Sequence, residues 1–298
     1  MILQTHGLHR AFGRHEALRG LDLSVPEGSA FALIGANGAG KTTTIKVLMN
    51  ILEPSEGAAT ILGVDSRKLS PRELAQIGYV SENQDMPGRL TAGQYLNYLR
   101  PFYPSWDREL EHSILSDLRL PMERKIHELS HGMRMKLALA CALPFRPKLL
   151  ILDEPFSGLD PLVRDDFMQG VLQQAGEMTV LISSHELAEI EGVVTHVGFI
   201  DEGKLLLAES MDHLTTRLRE VRVTLEKEAS VPQQIPDDWL QVRAIGNVLS
   251  FVSTRFSEET IAGKLAALLT DIRRVDVQPI ALRSIFTTLA RAVREGDI

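Results

Sequence analysis

A glycine-rich run directly after a short apolar segment constrains this chain more than any other feature. Residues 30–34 (Ala-Phe-Ala-Leu-Ile) are typical of a buried strand, and residues 35–42 match the pattern G-x-x-x-x-G-K-[ST]. Residues 43–49 contain neither Gly nor Pro and predict a helix. Such a loop directs backbone N–H groups and the positive end of a helix into one hollow. The run therefore predicts a nucleotide phosphate site rather than an incidental glycine-rich turn.

Two side chains in this run supply the chemistry that bound phosphates need. Lys41 carries a full positive charge for the outer phosphates, and the hydroxyl of Thr42 is a suitable ligand for Mg²⁺. The predicted ligands of the site are therefore a nucleoside triphosphate and a magnesium ion.

The composition is that of an ordinary globular protein with an acidic balance. The chain has 298 residues, which suits about two domains, and it is 44% hydrophobic with a net charge of −7. An acidic chain without a block of Lys and Arg argues against nucleic acid as a partner, because neutralising phosphates supplies most of that affinity. Cys141 is the only cysteine, so an internal disulfide is excluded.

The location of the protein is also an expectation at this stage. No apolar run approaches the ~20 residues that a membrane-spanning helix needs. The first residues lack a basic stretch followed by an apolar core, so we expect a cytoplasmic protein without a secretory signal. Such a protein reaches a membrane only by docking onto another protein.

Acidic residues follow a second apolar segment. Residues 149–152 predict a buried parallel strand, and Asp153 and Glu154 stand at its carboxyl end, where open α/β sheets place their ligands. Asp153 is a candidate ligand for Mg²⁺, and Glu154 is a candidate to orient or deprotonate an attacking water. An acidic strand cap is the simpler interpretation, but a phosphate loop that needs a metal disfavours it. Residues 179–184 predict another buried strand, and His185 at its end is a candidate partner of the γ-phosphate.

Between about residues 82 and 144 the pattern becomes helical, and aromatic residues concentrate there. The set lies within twelve positions and consists of Tyr95, Tyr98, Phe102, Tyr103 and Trp106. A buried stripe of a helical subdomain and a surface that binds a partner both fit this pattern. The sequence leaves these two interpretations open.

The character of the chain changes near residue 219. Residues 221–225 alternate as a half-buried strand, and Gly246-Asn247 is a plausible hairpin turn between two further strands. A helix after Ser257 and a last helix through Ile285 complete the pattern. Residues 219–298 are therefore predicted to form a small α+β accessory domain, and no constellation of side chains assigns it a function.

Taken in order, these motifs resemble the nucleotide-binding subunits of ABC transporters over about residues 1–215. The resemblance rests on the phosphate loop, residues 129–133 (Leu-Ser-His-Gly-Met), residues 149–155, residues 157–160 (Ser-Gly-Leu-Asp) and His185. It implies an α/β fold with a P-loop NTPase core, an antiparallel β subdomain and a helical subdomain at about 82–144, all within residues 1–218.

The resemblance also implies roles for individual residues. Glu154 matches the catalytic carboxylate, His185 the switch histidine, Asp153 the metal-binding acid, and Asp160 an aspartate at the dimer contact. The residues implied to bind ATP are Phe12, Gly35, Asn37, Gly38, Ala39, Gly40, Lys41, Thr42, Thr43, Ser130 and Gly132. Among them Phe12 matches the aromatic residue that stacks on adenine. Ser130 and Gly132 match the signature motif, which contacts the γ-phosphate held by the opposite subunit.

Three positions depart from the family pattern. His131 and Met133 replace a Gly and a Gln of the signature, while Ser130 and Gly132 are retained. Glu82 stands where the family has a glutamine, and as an oxygen donor it remains a candidate ligand for Mg²⁺. Gln84 is a weaker candidate for that role.

The resemblance implies two subunits that close head to tail over two ATP molecules and drive a separate integral membrane subunit. The departures and the accessory domain most resemble the branch that serves bacterial exporters. A soluble ABC ATPase of translation or DNA repair is disfavoured, because only one cassette is present and no heptad run separates its motifs. A regulatory switch that binds ATP without useful turnover stays open because of Glu82, His131 and Met133.

Overall fold

The computed structural model describes residues 1–172, 178–186, 190, 192–281, 284–288 and 291. The chain divides into two compact units, Met1–Ala208 and Glu209–Ile298. This division precedes the predicted boundary at 218/219, so that the helix Met211–Arg217 falls within the second unit. None of the helices in the described ranges is long and apolar enough to cross a bilayer.

An antiparallel sheet opens the first unit. Its order is β2-β1-β5-β6, with β3 paired to β1. The strands are β1 (Leu3–Phe12), β2 (His15–Leu21), β3 (Ser24–Val25), β5 (Glu56–Ile61) and β6 (Val64–Asp65). Phe12 pairs with His15 at the tip of the β1–β2 hairpin. The predicted antiparallel β subdomain is thereby confirmed.

The second sheet of this unit has the order β11-β10-β4-β9-β8-β7. Its strands are β4 (Ala30–Ile34), β7 (Ile77–Ser81), β8 (Leu149–Asp153), β9 (Thr179–Ser184), β10 (His196–Asp201) and β11 (Lys204–Ser210). The pairs formed by β4, β7, β8, β9 and β10 are parallel. The predicted α/β core is confirmed.

The register of this sheet explains why the motifs meet. Asp153 pairs with Ser81 on one side and with Ser183 on the other, and Ile34 pairs with Ser184. Because the strands are parallel and in register, their carboxyl ends lie along one edge. Every residue that follows one of these strands directly is therefore delivered to the same side of the sheet.

The first unit also contains α-helices, of which α3, α4 and α5 lie within the predicted helical region of about 82–144. They are α1 (Lys41–Leu48), α2 (Pro71–Leu74), α3 (Ala92–Leu99), α4 (Arg108–Leu118), α5 (His131–Ala142) and α6 (Pro161–Leu172). Thr91, Asp107 and Ser130 cap the amino ends of α3, α4 and α5 by accepting backbone N–H groups. These three side chains therefore set where the helices begin.

The second unit is built on an antiparallel sheet of order β13-β14-β12-β15. The strands of this sheet are β12 (Arg219–Leu225), β13 (Trp239–Ile245), β14 (Val248–Ser253) and β15 (Ile272–Pro279). The unit also contains the helices α7 (Met211–Arg217) and α8 (Glu258–Leu268). Trp239 stacks on Phe251 in its core. Residues 284–288 are helical, and Ile285 within them is buried. The rest of the predicted last helix lies mostly outside the described residues.

Candidate active site

The phosphate loop is shaped by close packing under two of its glycines. A Cβ atom on Gly35 would lie 2.3 Å from the carbonyl oxygen of Ile200, and one on Gly40 would lie 2.8 Å from that of Ala17. Gly40 has φ 112°, a left-handed conformation, and is the residue immediately before α1. The loop therefore reaches the start of the helix at a point that only glycine fits.

Lys41 lies buried at the first position of α1. Its Nζ donates hydrogen bonds to the carbonyl oxygens of Gly35, at 2.6 Å, and Ala36, at 3.1 Å. The same atom lies 3.0 Å from Oε1 of Glu154. The ammonium group of Lys41 is thus held by carbonyl groups of its own loop and by the carboxylate of Glu154.

Glu154 occupies a sharp turn directly after β8. Its φ of 51° is left-handed, which is uncommon for a residue with a side chain. The backbone N–H donates to Oγ of Ser183 at 2.9 Å, and Oε2 lies 2.8 Å from Nδ1 of His185. Glu154 therefore contacts Lys41 with one carboxylate oxygen and His185 with the other, and its side chain is 14% exposed.

Asp153, one residue earlier, is almost fully buried. Its Oδ1 accepts hydrogen bonds from Thr42 Oγ1 at 3.0 Å and from Ser183 Oγ at 2.7 Å. Burial raises the pKa of this carboxyl above its usual value, against the lowering effect of the two hydroxyls. Ser183 contacts both acids of the motif and was not singled out from the sequence, although its place at a strand end was a usable signal.

A cavity of about 410 Å³ joins these groups to the antiparallel sheet. It is lined by Phe12, His15, Ala17, Asn37, Gly38, Gly40, Lys41, Thr42, Thr43, Glu82 and Glu154. Phe12 is 45% exposed, with the guanidinium of Arg10 4.7 Å from its ring centroid. Gly35 and Ala39 are buried and support the loop from beneath. An aromatic face, a loop of N–H donors and a buried cation therefore face one hollow.

Glu82 borders this cavity from the end of β7. Its backbone N–H donates to the carbonyl oxygen of Asp153 at 3.1 Å, and its Oε1 accepts from Ser157 Oγ at 2.7 Å. Gln84 is not among the residues that line this cavity; it borders a separate cavity of about 240 Å³ and shares a third one, of about 560 Å³, with Glu82. Of the two residues considered at sequence level, Glu82 is the one at the phosphate loop.

The signature residues do not join this cavity. Ser130 caps α5, and a Cβ on Gly132 would lie 3.0 Å from a side-chain carbon of Val163. Asp160 accepts from the backbone N–H of Val163 at 3.1 Å, at the start of α6. These three residues form a second cluster within the same chain, apart from the groups that surround Lys41.

The aromatic segment divides into an exposed part and a packed part. Tyr98 and Phe102 are 58% and 61% exposed and meet edge to face. Tyr103 instead stacks on Phe145, and Trp106 Nε1 donates to Glu111 at 2.7 Å. Neither of the two interpretations left open by the sequence holds for the whole segment.

Comparison with known proteins agrees with this geometry. The model of the family described as "ABC transporter" matches residues 18–157. The bacitracin transport ATP-binding protein BcrA of Bacillus licheniformis is 36% identical over 222 residues, which cover 73% of this chain and 72% of that protein. The lantibiotic transport ATP-binding protein SrtF of Streptococcus pyogenes is 32% identical over 71% of this chain and 92% of its own. A solved structure titled as the ATP binding subunit of an ABC transporter superposes with a TM-score of 0.66 at 28% identity, covering 72% of this chain and 92% of that one.

Proposed function

Because this chain belongs to the ATP-binding proteins of ABC transporters and is an ATPase of that family, we propose that it is the motor subunit of a membrane exporter. The observation that carries the proposal is that Glu154 contacts both Lys41 and His185, and that Lys41 and Glu154 line the same cavity as Phe12. One cavity thus combines an aromatic face for a base, a cation for phosphates and a carboxylate for water.

The loop and the aromatic residue divide the binding of ATP between them. Asn37, Gly38, Gly40 and Thr43 line the cavity from the phosphate loop, and Lys41 adds a buried positive charge. Phe12 offers an exposed ring on which adenine stacks. We assign the phosphates to the loop and the base to Phe12.

The donor set beneath the loop fits a magnesium ion. Thr42 Oγ1 and Asp153 Oδ1 lie 3.0 Å apart, and hydroxyl and carboxylate oxygens are the ligands that this hard cation prefers. Together with Glu82, these residues would hold Mg²⁺, which neutralises charge on the phosphates. The described part of the chain contains no group of three His, Cys, Asp or Glu residues suited to a metal.

We assign to Glu154 the role of orienting and deprotonating the attacking water. It stands next to Asp153 at the carboxyl end of β8, and His185 contacts its other oxygen. A carboxylate so held orients the water and accepts its proton, while Lys41 stabilises charge on the transferred phosphoryl group. His185 is assigned to position Glu154 and to contact the γ-phosphate.

The separation of Ser130 and Gly132 from the cavity supports a head-to-tail dimer. One chain holds the loop, the acids and His185 together, but its own signature residues lie in a different cluster. A second copy or a related subunit would supply them. Two ATP molecules would then be enclosed between two subunits.

The dimer is tested with a variant that binds ATP but does not hydrolyse it. Glu154→Gln should elute as a dimer from size exclusion with Mg²⁺ and ATP, and as a monomer without them. Adding Ser130→Asp keeps the helix cap but sets a negative charge against the γ-phosphate, so this double variant should remain monomeric. Ser130→Asn keeps the cap without the charge and serves as the control. Dimerisation that is unaffected by Ser130→Asp would overturn the head-to-tail arrangement.

A membrane partner and the direction of transport complete the proposal. The two relatives described above are named as transport ATP-binding proteins for bacitracin and for lantibiotics. On the basis of this similarity we assign export as the direction of transport. The protein would then work at the inner face of the cell membrane through a separate integral membrane subunit. A regulatory ATP switch not coupled to transport is the alternative, and it rests on the departures from the family pattern at Glu82, His131 and Met133.

A further inference from the structure

Two of the residues that depart from the family pattern contact the same residue. Glu82 Oε1 accepts a hydrogen bond of 2.7 Å from Ser157 Oγ, and Nε2 of His131 lies 3.0 Å from the carbonyl oxygen of Ser157. Facing a carbonyl, this ring nitrogen acts as the donor. One residue therefore links the end of β7 to the start of α5.

Ser157 is also tied to the reactive turn. Its backbone N–H donates to the carbonyl oxygen of Glu154 at 3.3 Å. Ser157 thus uses its hydroxyl, its N–H and its carbonyl on three different residues, which are Glu82, Glu154 and His131. The three contacts belong to three separate segments of the first unit.

We propose that Ser157 is a positioning residue that transmits movement of the signature helix α5 to the carboxylate of Glu82 in the nucleotide cavity of the same subunit. This inference rests on the proposed function, in which Ser130 and Gly132 of α5 contact the nucleotide of the opposite subunit. Closure on that nucleotide shifts His131, and the Ser157 carbonyl and hydroxyl carry the shift to Glu82. The two sites of the dimer are thereby coupled within each chain.

The link has one bond that a single substitution removes. Ser157→Ala deletes the hydroxyl that holds Glu82 and leaves the carbonyl that His131 contacts. Ser157→Thr retains the hydroxyl. Comparing the two variants therefore shows whether an effect comes from loss of the hydroxyl hydrogen bond or from any change of residue at position 157.

The test measures kcat and KM for ATP on the full-length chain at several Mg²⁺ concentrations. Ser157→Ala should lower kcat about tenfold, as expected for a hydrogen bond to a charged group, shift the Mg²⁺ dependence and leave KM nearly unchanged. Ser157→Thr should restore kcat. In a Glu82→Ala background, Ser157→Ala should have no further effect, because its target is gone.

The contact between His131 and the carbonyl of Ser157 is tested in the same way. His131→Ala should shift the Mg²⁺ dependence in the direction of Glu82→Ala, and this effect should vanish when Ser157 is alanine. The matched control is His127→Ala, since Nδ1 of His127 also contacts a carbonyl, that of Gly88 at 2.7 Å, without touching Ser157. The control should leave both constants unchanged.

Two results would overturn the inference. One is a Ser157→Ala variant with the kcat and Mg²⁺ dependence of the wild type. The other is a fully multiplicative effect of Ser157→Ala and Glu82→Ala on kcat, which indicates independent residues. Failure of the head-to-tail arrangement on which the inference rests is seen separately, as dimerisation of the Glu154→Gln protein that Ser130→Asp does not affect.

Discussion

Nζ of Lys41 and Oε1 of Glu154 lie 3.0 Å apart, so the cation of the phosphate loop is neutralised by the carboxylate that we assign to catalysis. Both side chains are largely shielded from solvent, which strengthens the attraction between them. Phosphate oxygens at Lys41 would compete with Glu154 for the same cation. Binding of ATP would therefore release the carboxylate at the moment when its water is in place.

Replacing Glu154 by Gln should abolish turnover while ATP is still bound. The amide keeps the size of the side chain but cannot accept a proton, and loss of a general base typically costs ~10²–10⁴ in rate. Phosphate release under saturating ATP measures the effect. Glu202→Gln is the matched control, because Glu202 also has a positive φ and its side chain is 64% exposed. Turnover like that of the wild type in Glu154→Gln would remove the assignment.

Replacing Glu82 by Gln should shift the Mg²⁺ dependence of hydrolysis to higher concentrations. The substitution removes a negative charge from the wall of the nucleotide cavity but leaves an oxygen that accepts from Ser157. A titration of Mg²⁺ at fixed ATP gives the midpoint. Glu128→Gln changes a half-exposed glutamate outside the cavity lining and should not move it. An unaltered midpoint in Glu82→Gln contradicts a role for this carboxylate near the metal.

Replacing Asp153 by Asn should raise the melting temperature of the metal-free protein at neutral pH. Burial raises the folded-state pKa of this carboxyl, so keeping it ionised destabilises the folded protein above that pKa. Asn removes the charge and keeps an oxygen for Thr42 and Ser183. As the pH falls through the folded-state pKa, the wild-type carboxyl takes up a proton, and the advantage of the variant should shrink.

Thermal melts in EDTA over a pH series measure this difference. The same substitution should reduce ATP hydrolysis, since Asp153 is assigned to the metal. A lower melting temperature in Asp153→Asn at neutral pH would show that the carboxylate stabilises the fold.

The aromatic segment gives a pair of opposite expectations. Trp106→Ala removes a ring that packs near Tyr103 and Phe145 and a hydrogen bond to Glu111, so we expect a loss of roughly 3–5 kcal/mol in the free energy of unfolding. Tyr98→Ala changes an exposed ring and should leave the melting temperature nearly unchanged. If Tyr98 contributes to the surface that binds the membrane subunit, Tyr98→Ala should weaken co-purification with that subunit. If both variants bind the membrane subunit as well as the wild type per folded molecule, the surface around Tyr98 plays no part in that binding.

Much of the site was predictable because its residues stand next to local signals. Lys41 and Thr42 follow a strand and a glycine loop, and Asp153 and Glu154 follow a run of apolar residues. Parallel strands deliver such residues to one edge whatever the intervening sequence. The sequence thus predicted the members of the site from features that are local along the chain.

Contacts between distant segments were not predictable in the same way. Ser157 touches Glu82 across 75 positions, and Ser183 touches Asp153 across 30. A hydroxyl carries no periodic or compositional signal for its partner, so only the folded register reveals these bonds. The division of the aromatic segment has the same cause, because Tyr103 and Trp106 are packed by Phe145, which lies beyond the predicted helical region.

The close packing of Gly40 against β2 sets the distance between the two ends of the cavity. The phosphate loop lies directly against the backbone of Ala17 in β2, and β2 is joined through its hairpin to Phe12 in β1. The span between the ring of Phe12 and the phosphate loop is therefore set by main-chain packing. A ligand that contacts both the ring of Phe12 and the phosphate loop therefore has to match a distance that the backbone sets.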